Sequence, residues 1–182
     1  MPHIPAPEHS EIMPPSAAWP PNGAASPPEP ASWEQALSSF TSGGGYWLAT
    51  TTPTGRAQVR PVLSVIVDGV PHFSASEQSR KARNLAADPR CSITTSGTSF
   101  DVVIEGAAEI VSAEAHLHRV VEAYDARYGW RPDVRAGQLW ADGAPTAGPP
   151  PYLVYRIQPA TTYGFPTDES SIPTRWRFSP PA

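Results

Sequence analysis

Phe73-Ser74-Ala75-Ser76-Glu77-Gln78-Ser79-Arg80-Lys81-Ala82-Arg83-Asn84-Leu85 is the stretch on which the reading of the whole chain turns. It joins the end of a strand to the start of a helix that Asp88-Pro89 terminates. Across that junction lie three hydroxyls, three cations and the free N–H groups of a helix start, the combination an anionic phosphate needs. Lys81 stands out as the single lysine beside 12 arginines, and a compact ammonium differs from a guanidinium fork in what it can hold. Taken alone, the segment is equally open to a plainer reading, a solvated basic helix face capped by serine.

Working back from this junction, Asp68-Gly69 is a two-residue hairpin signal, so residues 70–75 return antiparallel to the strand before them. Residues 56–67 alternate, with Val59, Pro61, Leu63, Val65 and Val67 on one face and Gln58, Arg60, Val62, Ser64 and Ile66 on the other. Both faces are substantially apolar, which suits a barrel. Thr52-Pro53-Thr54-Gly55 is turn chemistry linking that strand to another over residues 46–52. Ser32 with Gln35 three residues on makes a capping pair, and Trp33, Leu37 and Phe40 follow at helical spacing up to the Gly43-Gly44-Gly45 stop.

Forward of the junction, residues 90–95 and 100–111 form a hairpin across Ser96-Gly97-Thr98-Ser99. Ser112 caps a longer helix whose apolar stripe is Leu117, Val120, Val121, Tyr124 and Tyr128, ended by Gly129. Residues 130–151, rich in Gly and Pro, read as an extended loop with at most a helical turn near 135–140. A long strand over 152–165 and a short one over 174–178 complete the pattern, and no internal repeat is found. The expected class is mainly β with flanking helices.

The chain has 182 residues and 24 prolines, ten of them before Trp33. Residues 1–31 cannot bury enough apolar surface to offset ordering and are expected to be a disordered Pro-rich arm, with residues 32–182 as the folded domain. The other possibility is that Trp19 and its neighbouring prolines pack in extended form on the domain or on a second subunit. Net charge is −4, which gives no general attraction to nucleic acid or anionic membrane. Cys91 is the only cysteine, so no intramolecular disulfide or cysteine-rich zinc site forms. No signal peptide or membrane-length apolar run is seen, and a cytoplasmic protein is expected.

No G-x-S-x-G elbow, Walker A loop or H-E-x-x-H motif occurs. His116 and His118, two apart on a helix, point to different sides and read as solvated residues; His72, on a strand, reads as a packed or edge histidine. The Gly43-Gly44-Gly45 run lacks the setting and the lysine of a phosphate loop. Neither a metal site nor a catalytic residue is identified.

Trp47-Leu48-Ala49-Thr50-Thr51-Thr52, Gly55-Arg56-Ala57-Gln58-Val59-Arg60-Pro61-Val62, Asp68-Gly69, Ser79-Arg80-Lys81-Ala82-Arg83-Asn84-Leu85 and Asp88-Pro89-Arg90, in this order and spacing, resemble the pyridoxamine 5'-phosphate oxidase-like superfamily. The match is good over residues 33–111, while the last strand and Thr174-Arg175-Trp176-Arg177-Phe178 look like actinobacterial members. The resemblance implies an FMN-binding split β-barrel, homodimeric, with a flavin or deazaflavin held between two subunits and hydride passed to or from a small organic substrate. By position it implies that Arg60, Pro61 and Val62 line the cofactor ring and that the segment from Ser74, with Ser76, Ser79, Arg80 and Lys81, holds its phosphate. It further implies that Asn84 braces that loop and that Trp176 and Arg177 cover the ring or reach the cofactor tail from the other subunit. For Trp176 and Arg177, closure of the barrel is an equal reading.

The C-terminal substrate-recognition pattern of the true oxidase is not recognised, so vitamin B6 oxidation is not expected. Between cofactors, the extra cations Arg56, Arg60, Arg80, Arg83 and Arg177 suit the acidic tail of coenzyme F420. The arginine-rich, lysine-poor composition resembles a GC-rich actinobacterial gene, and F420 is favoured over FMN. The alternative is a non-catalytic flavin- or haem-binding module of the same fold.

Overall fold

The computed structural model describes residues 6–13, 30–142, 148–167 and 172–179. In chain order the elements are β1 (His9–Ile12), α1 (Trp33–Ser42), β2 (Tyr46–Thr51), β3 (Ala57–Val62), β4 (Ser64–Val67), β5 (Val70–Ser76), α2 (Arg80–Ala87), β6 (Arg90–Ser96), β7 (Phe100–Val111), α3 (Glu114–Tyr128), β8 (Asp133–Arg135), β9 (Gln138–Trp140), β10 (Tyr152–Pro166) and β11 (Thr174–Arg177). Every strand pairing is antiparallel, and the main path of the sheet runs β1-β11-β10-β7-β6-β2-β3. The long strand β10 pairs with β7 from Val154 to Pro166. Its other edge is shared: residues 152–156 take β5, and residues 161–164 take β11. This division of one edge between two partners opens the sheet into a split barrel.

Local signals set the element boundaries. Ser32 and Gln35 form a reciprocal capping box on α1, and Ser79 Oγ accepts from the Ala82 N–H at 3.2 Å to start α2. Asp68 and Gly69 both have positive φ in the β4–β5 hairpin, as a two-residue primed turn requires. Gly129 ends α3 in the left-handed conformation.

Two apolar clusters hold the layers together. In the barrel, Phe40 of α1 packs with Leu48, Phe73, Ile93, Phe100, Ile104, Ile157 and Trp176 from the sheet. Trp33 lies 5.8 Å from the Trp176 ring and 5.1 Å from Phe178, locking the N-terminal helix onto the last strand. The second cluster sits under α3, where Leu117, Val120 and Tyr124 meet Val65, Leu139, Tyr152 and Val154.

Several expectations are corrected. His9–Ile12 falls inside the stretch read as a disordered arm, yet it pairs along all four residues with β11 and joins the barrel domain as an outer strand. The composition rule overlooked that a short segment can satisfy its backbone against an existing edge. Trp19 lies outside the described residues. The single strand read over 56–67 is two: β3 pairs with β2, the chain bends at Leu63, and β4 pairs with β5. The expected helical turn near 135–140 is the β8–β9 hairpin, with positive φ at Ala136 and Gly137 and Leu139 buried against Tyr152. Helix α3 begins one residue later than expected, with Ala113 at the cap and no side-chain cap bond.

Gly164 packs closely on the barrel core. A Cβ there would stand 2.8 Å from the Trp176 ring, which is itself fully buried. Gly164→Ala must displace that ring and is expected to cost about 1–3 kcal/mol of stability. Chemical denaturation checks this through a lowered midpoint at unchanged slope.

Candidate functional site

Strand β3 ends the main path of the sheet and exposes most of its length, with α2 lying beside β2 and β3. Asn84 of α2, almost fully buried, ties the parts together: its Nδ2 donates to Thr50 Oγ1 at 3.0 Å and to Gln58 Oε1 at 3.1 Å. The helix is thereby fixed against β2 and β3. Between them lies a groove of about 560 Å³ lined by Thr52, Thr54, Arg56, Gln58, Arg60, Arg80, Arg83 and Asn84.

The charge in this groove is uncompensated. Seven arginines pair with carboxylates: Arg90 with Asp88, Arg119 with Asp68, Arg131 with Asp125, Arg135 with Asp133, Arg156 with Glu109, and Arg175 and Arg177 with Glu11. Arg127 donates to the carbonyls of Thr41 and Gly43. The four that remain, Arg56, Arg60, Arg80 and Arg83, all line the groove, where no acidic side chain faces them among the described residues. Lys81 is 9% exposed and has no hydrogen-bond or ion-pair partner among the described residues. Burial, with the charge of nearby Arg60, holds its ammonium below the usual lysine pKa.

Of the residues singled out in the sequence, Arg60, Arg80 and Asn84 line this groove and Lys81 lies beside Arg60. Ser79 spends its hydroxyl on the helix cap. Pro61 is exposed on β3, and Val62 turns into the barrel core. Ser74 and Ser76 face the other way: Ser74 Oγ meets the Tyr124 hydroxyl of α3 at 3.4 Å, and Ser76 lies under Gly148. Trp176 is buried in the barrel core and occupies the barrel-closing place, while Arg177 pairs with Glu11 at the opposite end of the sheet path. Neither reaches the groove within one chain. Gln58 and Thr50 escaped the sequence reading because their role is to anchor Asn84, a contact between residues 26 and 34 apart.

A second, apolar groove of about 600 Å³ is lined by Ala49, Ala57, Cys91, Ala107 and Ala160 among others and shares Ala57 with the basic one. Burial pushes the Cys91 thiol up to about 12, so it stays protonated and is no nucleophile. On the same outer face of β2 and β3, Trp47 is 52% and Val59 49% exposed. Among the described residues no group of three or more His, Cys, Asp or Glu is placed to hold a metal, and no helix is long and apolar enough to cross a membrane.

The combination of a split barrel and a basic groove beside an open sheet edge defines a class, and comparison gives the family. The family model of pyridoxamine 5'-phosphate oxidase matches residues 34–166, and the chain belongs to that family. No curated protein matches it in sequence. Among solved structures, the chain is similar to a haem-binding protein of Mycobacterium smegmatis, with 21% identity, a TM-score of 0.57 and coverage of 75% of this chain and 54% of that one. The chain therefore spans about half the length of that relative. A conserved hypothetical protein of Mycobacterium tuberculosis gives 23% identity and a TM-score of 0.57, covering 72% and 82% of the two chains. A putative pyridoxamine 5'-phosphate oxidase of Listeria innocua gives 12% identity and a TM-score of 0.52, covering 72% and 94%. At these identities the likeness is one of fold.

A buried, unpaired ammonium is a cost that folding alone does not explain. Lys81→Met is expected to stabilise the ligand-free protein by roughly 1–2 kcal/mol while weakening its affinity for anions. Thermal unfolding with and without added inorganic pyrophosphate checks both halves.

Proposed function

We propose that the chain is an oxidoreductase that holds coenzyme F420 or FMN, with F420 favoured, in the joined basic and apolar grooves. There hydride passes to or from a small organic substrate. The observation that carries this is the gathering of the uncompensated cations: Arg56, Arg60, Arg80 and Arg83 line one groove with Lys81 beside it, in a chain of net charge −4. One phosphate does not need five cations; a phosphodiester followed by an acidic tail uses them. The adjoining apolar groove suits a flat ring system.

The bound cofactor would supply the hydride chemistry. Lys81 and Arg80 would hold its phosphate, Arg56 and Arg83 its further negative charge, and Arg60 and Pro61 on the open β3 edge would orient the ring. Asn84 would act one step removed, by fixing α2 against β3. The exposed Trp47 and Val59 support a homodimer in which a second copy covers this face and excludes water from the ring. In that assembly Arg177, exposed at the far edge and paired with Glu11 in the single chain, would have to give up that pairing to reach the cofactor tail of the other copy. A cytoplasmic setting agrees with such a cofactor.

The haem-binding relative keeps a second reading in view, a non-catalytic binding module. Against it, no histidine lines either groove among the described residues.

Fluorescence titration with FMN and F420 at two salt concentrations tests the proposal. Tighter F420 binding is expected, with a steeper loss of affinity on adding salt. Lys81→Ala should weaken binding by about 1–3 kcal/mol, a loss of about 5- to 150-fold. If the folded protein binds neither cofactor, the proposal fails; haem binding without turnover would establish the second reading.

A further inference from the structure

His72 and His116, separated by 44 residues, bring their Nε2 atoms within 2.9 Å of each other. His72 is fully buried on β5, and His116 is half-buried on the first turns of α3. The remaining ring nitrogens are also engaged. His72 Nδ1 lies 3.0 Å from the Val70 carbonyl, and His116 Nδ1 lies 3.0 Å from Arg119 Nη2, which also donates to Asp68 Oδ2 at 2.7 Å.

The two ends of this chain of contacts set every proton in it. A carbonyl can only accept, so His72 carries its proton on Nδ1 and presents a lone pair at Nε2. A guanidinium can only donate, so His116 accepts at Nδ1 and carries its proton on Nε2. The Nε2–H of His116 therefore donates to Nε2 of His72, and both rings are neutral. The same constraint argues against a metal between them, which would need both Nε2 lone pairs free.

We propose that His72, His116, Arg119 and Asp68 form an acid-released latch that fastens the start of α3 to the β4–β5 hairpin. A proton added to His72 Nε2 opposes the His116 donor, and one added to His116 Nδ1 opposes Arg119. Either addition breaks the chain. The surroundings make the rings harder to charge. Burial holds His72 down at about 4 and His116 below its ordinary value, and Arg156 of β10 opposes a charge on either ring. Glu109 of β7 pairs with Arg156; Asp68 favours the charged form but is shared with Arg119; and Glu8, before β1, lines the same cavity as His116.

The sign follows from linkage. Between the unfolded value near 6.5 and the folded value near 4, the unfolded chain binds more protons, so stability present at neutral pH is lost as pH falls. The same latch steadies α3, whose Tyr124 reaches Ser74 two residues further along β5.

Nitrogen-15 spectra of the imidazoles test the proton assignment directly. At pH 7 His72 is expected as the Nδ1–H tautomer and His116 as the Nε2–H tautomer, with His72 still neutral at pH 6. Thermal unfolding gives the second arm. From pH 7 to pH 5 the protein should lose about 4–8 °C through this pair. His116→Ala should start lower at pH 7 and lose less over the same range. The opposite tautomers, a protonated His72 at pH 6, or an unchanged pH slope in a folded His116→Ala protein would each overturn the proposal. The spectra need only the wild-type chain, so a variant that fails to fold leaves the test intact.

Discussion

Strand β10 is the constraint on which the rest of the molecule depends. It is 15 residues long and pairs with β7 over most of that length, while its other edge is given first to β5 and then to β11. A strand that long cannot stay flat, because twist accumulates along it. The register shift between Pro159 and Thr161 takes up the bend, and Gly106 lies opposite, where a Cβ would strike the Gln158 carbonyl at 2.0 Å. The handover from β5 to β11 occurs at this bend. Because β5 is held there, its C-terminal end delivers residues 77–79 and then α2 to a defined place beside β3.

That placement fixes the electrostatics. Elsewhere the chain disposes of its arginines in ordinary surface pairs, each of small energetic weight, or on backbone carbonyls. Around β3 and α2 it sets four arginines in one groove beside a buried lysine, with no carboxylate facing them among the described residues and only the Val59 carbonyl taken by Arg60. Like charges at this spacing repel, and Lys81 adds a desolvation cost. Folding would be favoured by an apolar residue at 81, so the ammonium is held against the local interest of the fold, as happens where a ligand brings the missing countercharge.

What could be read from the sequence was what is local. The Ser32–Gln35 box, the Asp68-Gly69 turn, the Ser79 cap and the Gly129 stop each act within a few residues, and each stands where its chemistry puts it. The cations Arg56, Arg60, Arg80 and Arg83 were readable in the sequence, but what brings β3 and α2 together is the long-range anchoring of Asn84 by Thr50 and Gln58, and Arg177, named with them, lies elsewhere. The failures are long-range. The seat of β1 is an edge supplied by β11, more than 160 residues away. The hairpin of β8 and β9 depends on Leu139 finding Tyr152. Alternation alone could not tell that Ser74 turns toward α3 and Ser76 toward Gly148, nor that His116 has a partner on β5.

The basic groove borders an open sheet edge, and its arginines also suit the defence of that edge. Edge strands invite pairing with other chains, and charged residues together with proline are common defences. Arg56, Arg60 and Pro61 on β3 meet that description. The account stops there, because edge protection works only by exposure. It gives no reason for Lys81, on a helix and 9% exposed, to be charged at all, nor for Asn84 to spend two buried hydrogen bonds fixing that helix to β2 and β3. Those two residues suit a groove of fixed width with a further cation beside it. The proposed anion between α2 and β3 would explain both, and it would leave the arginines of the edge a double role, guarding the strand when the groove is empty and neutralising the ligand when it is filled.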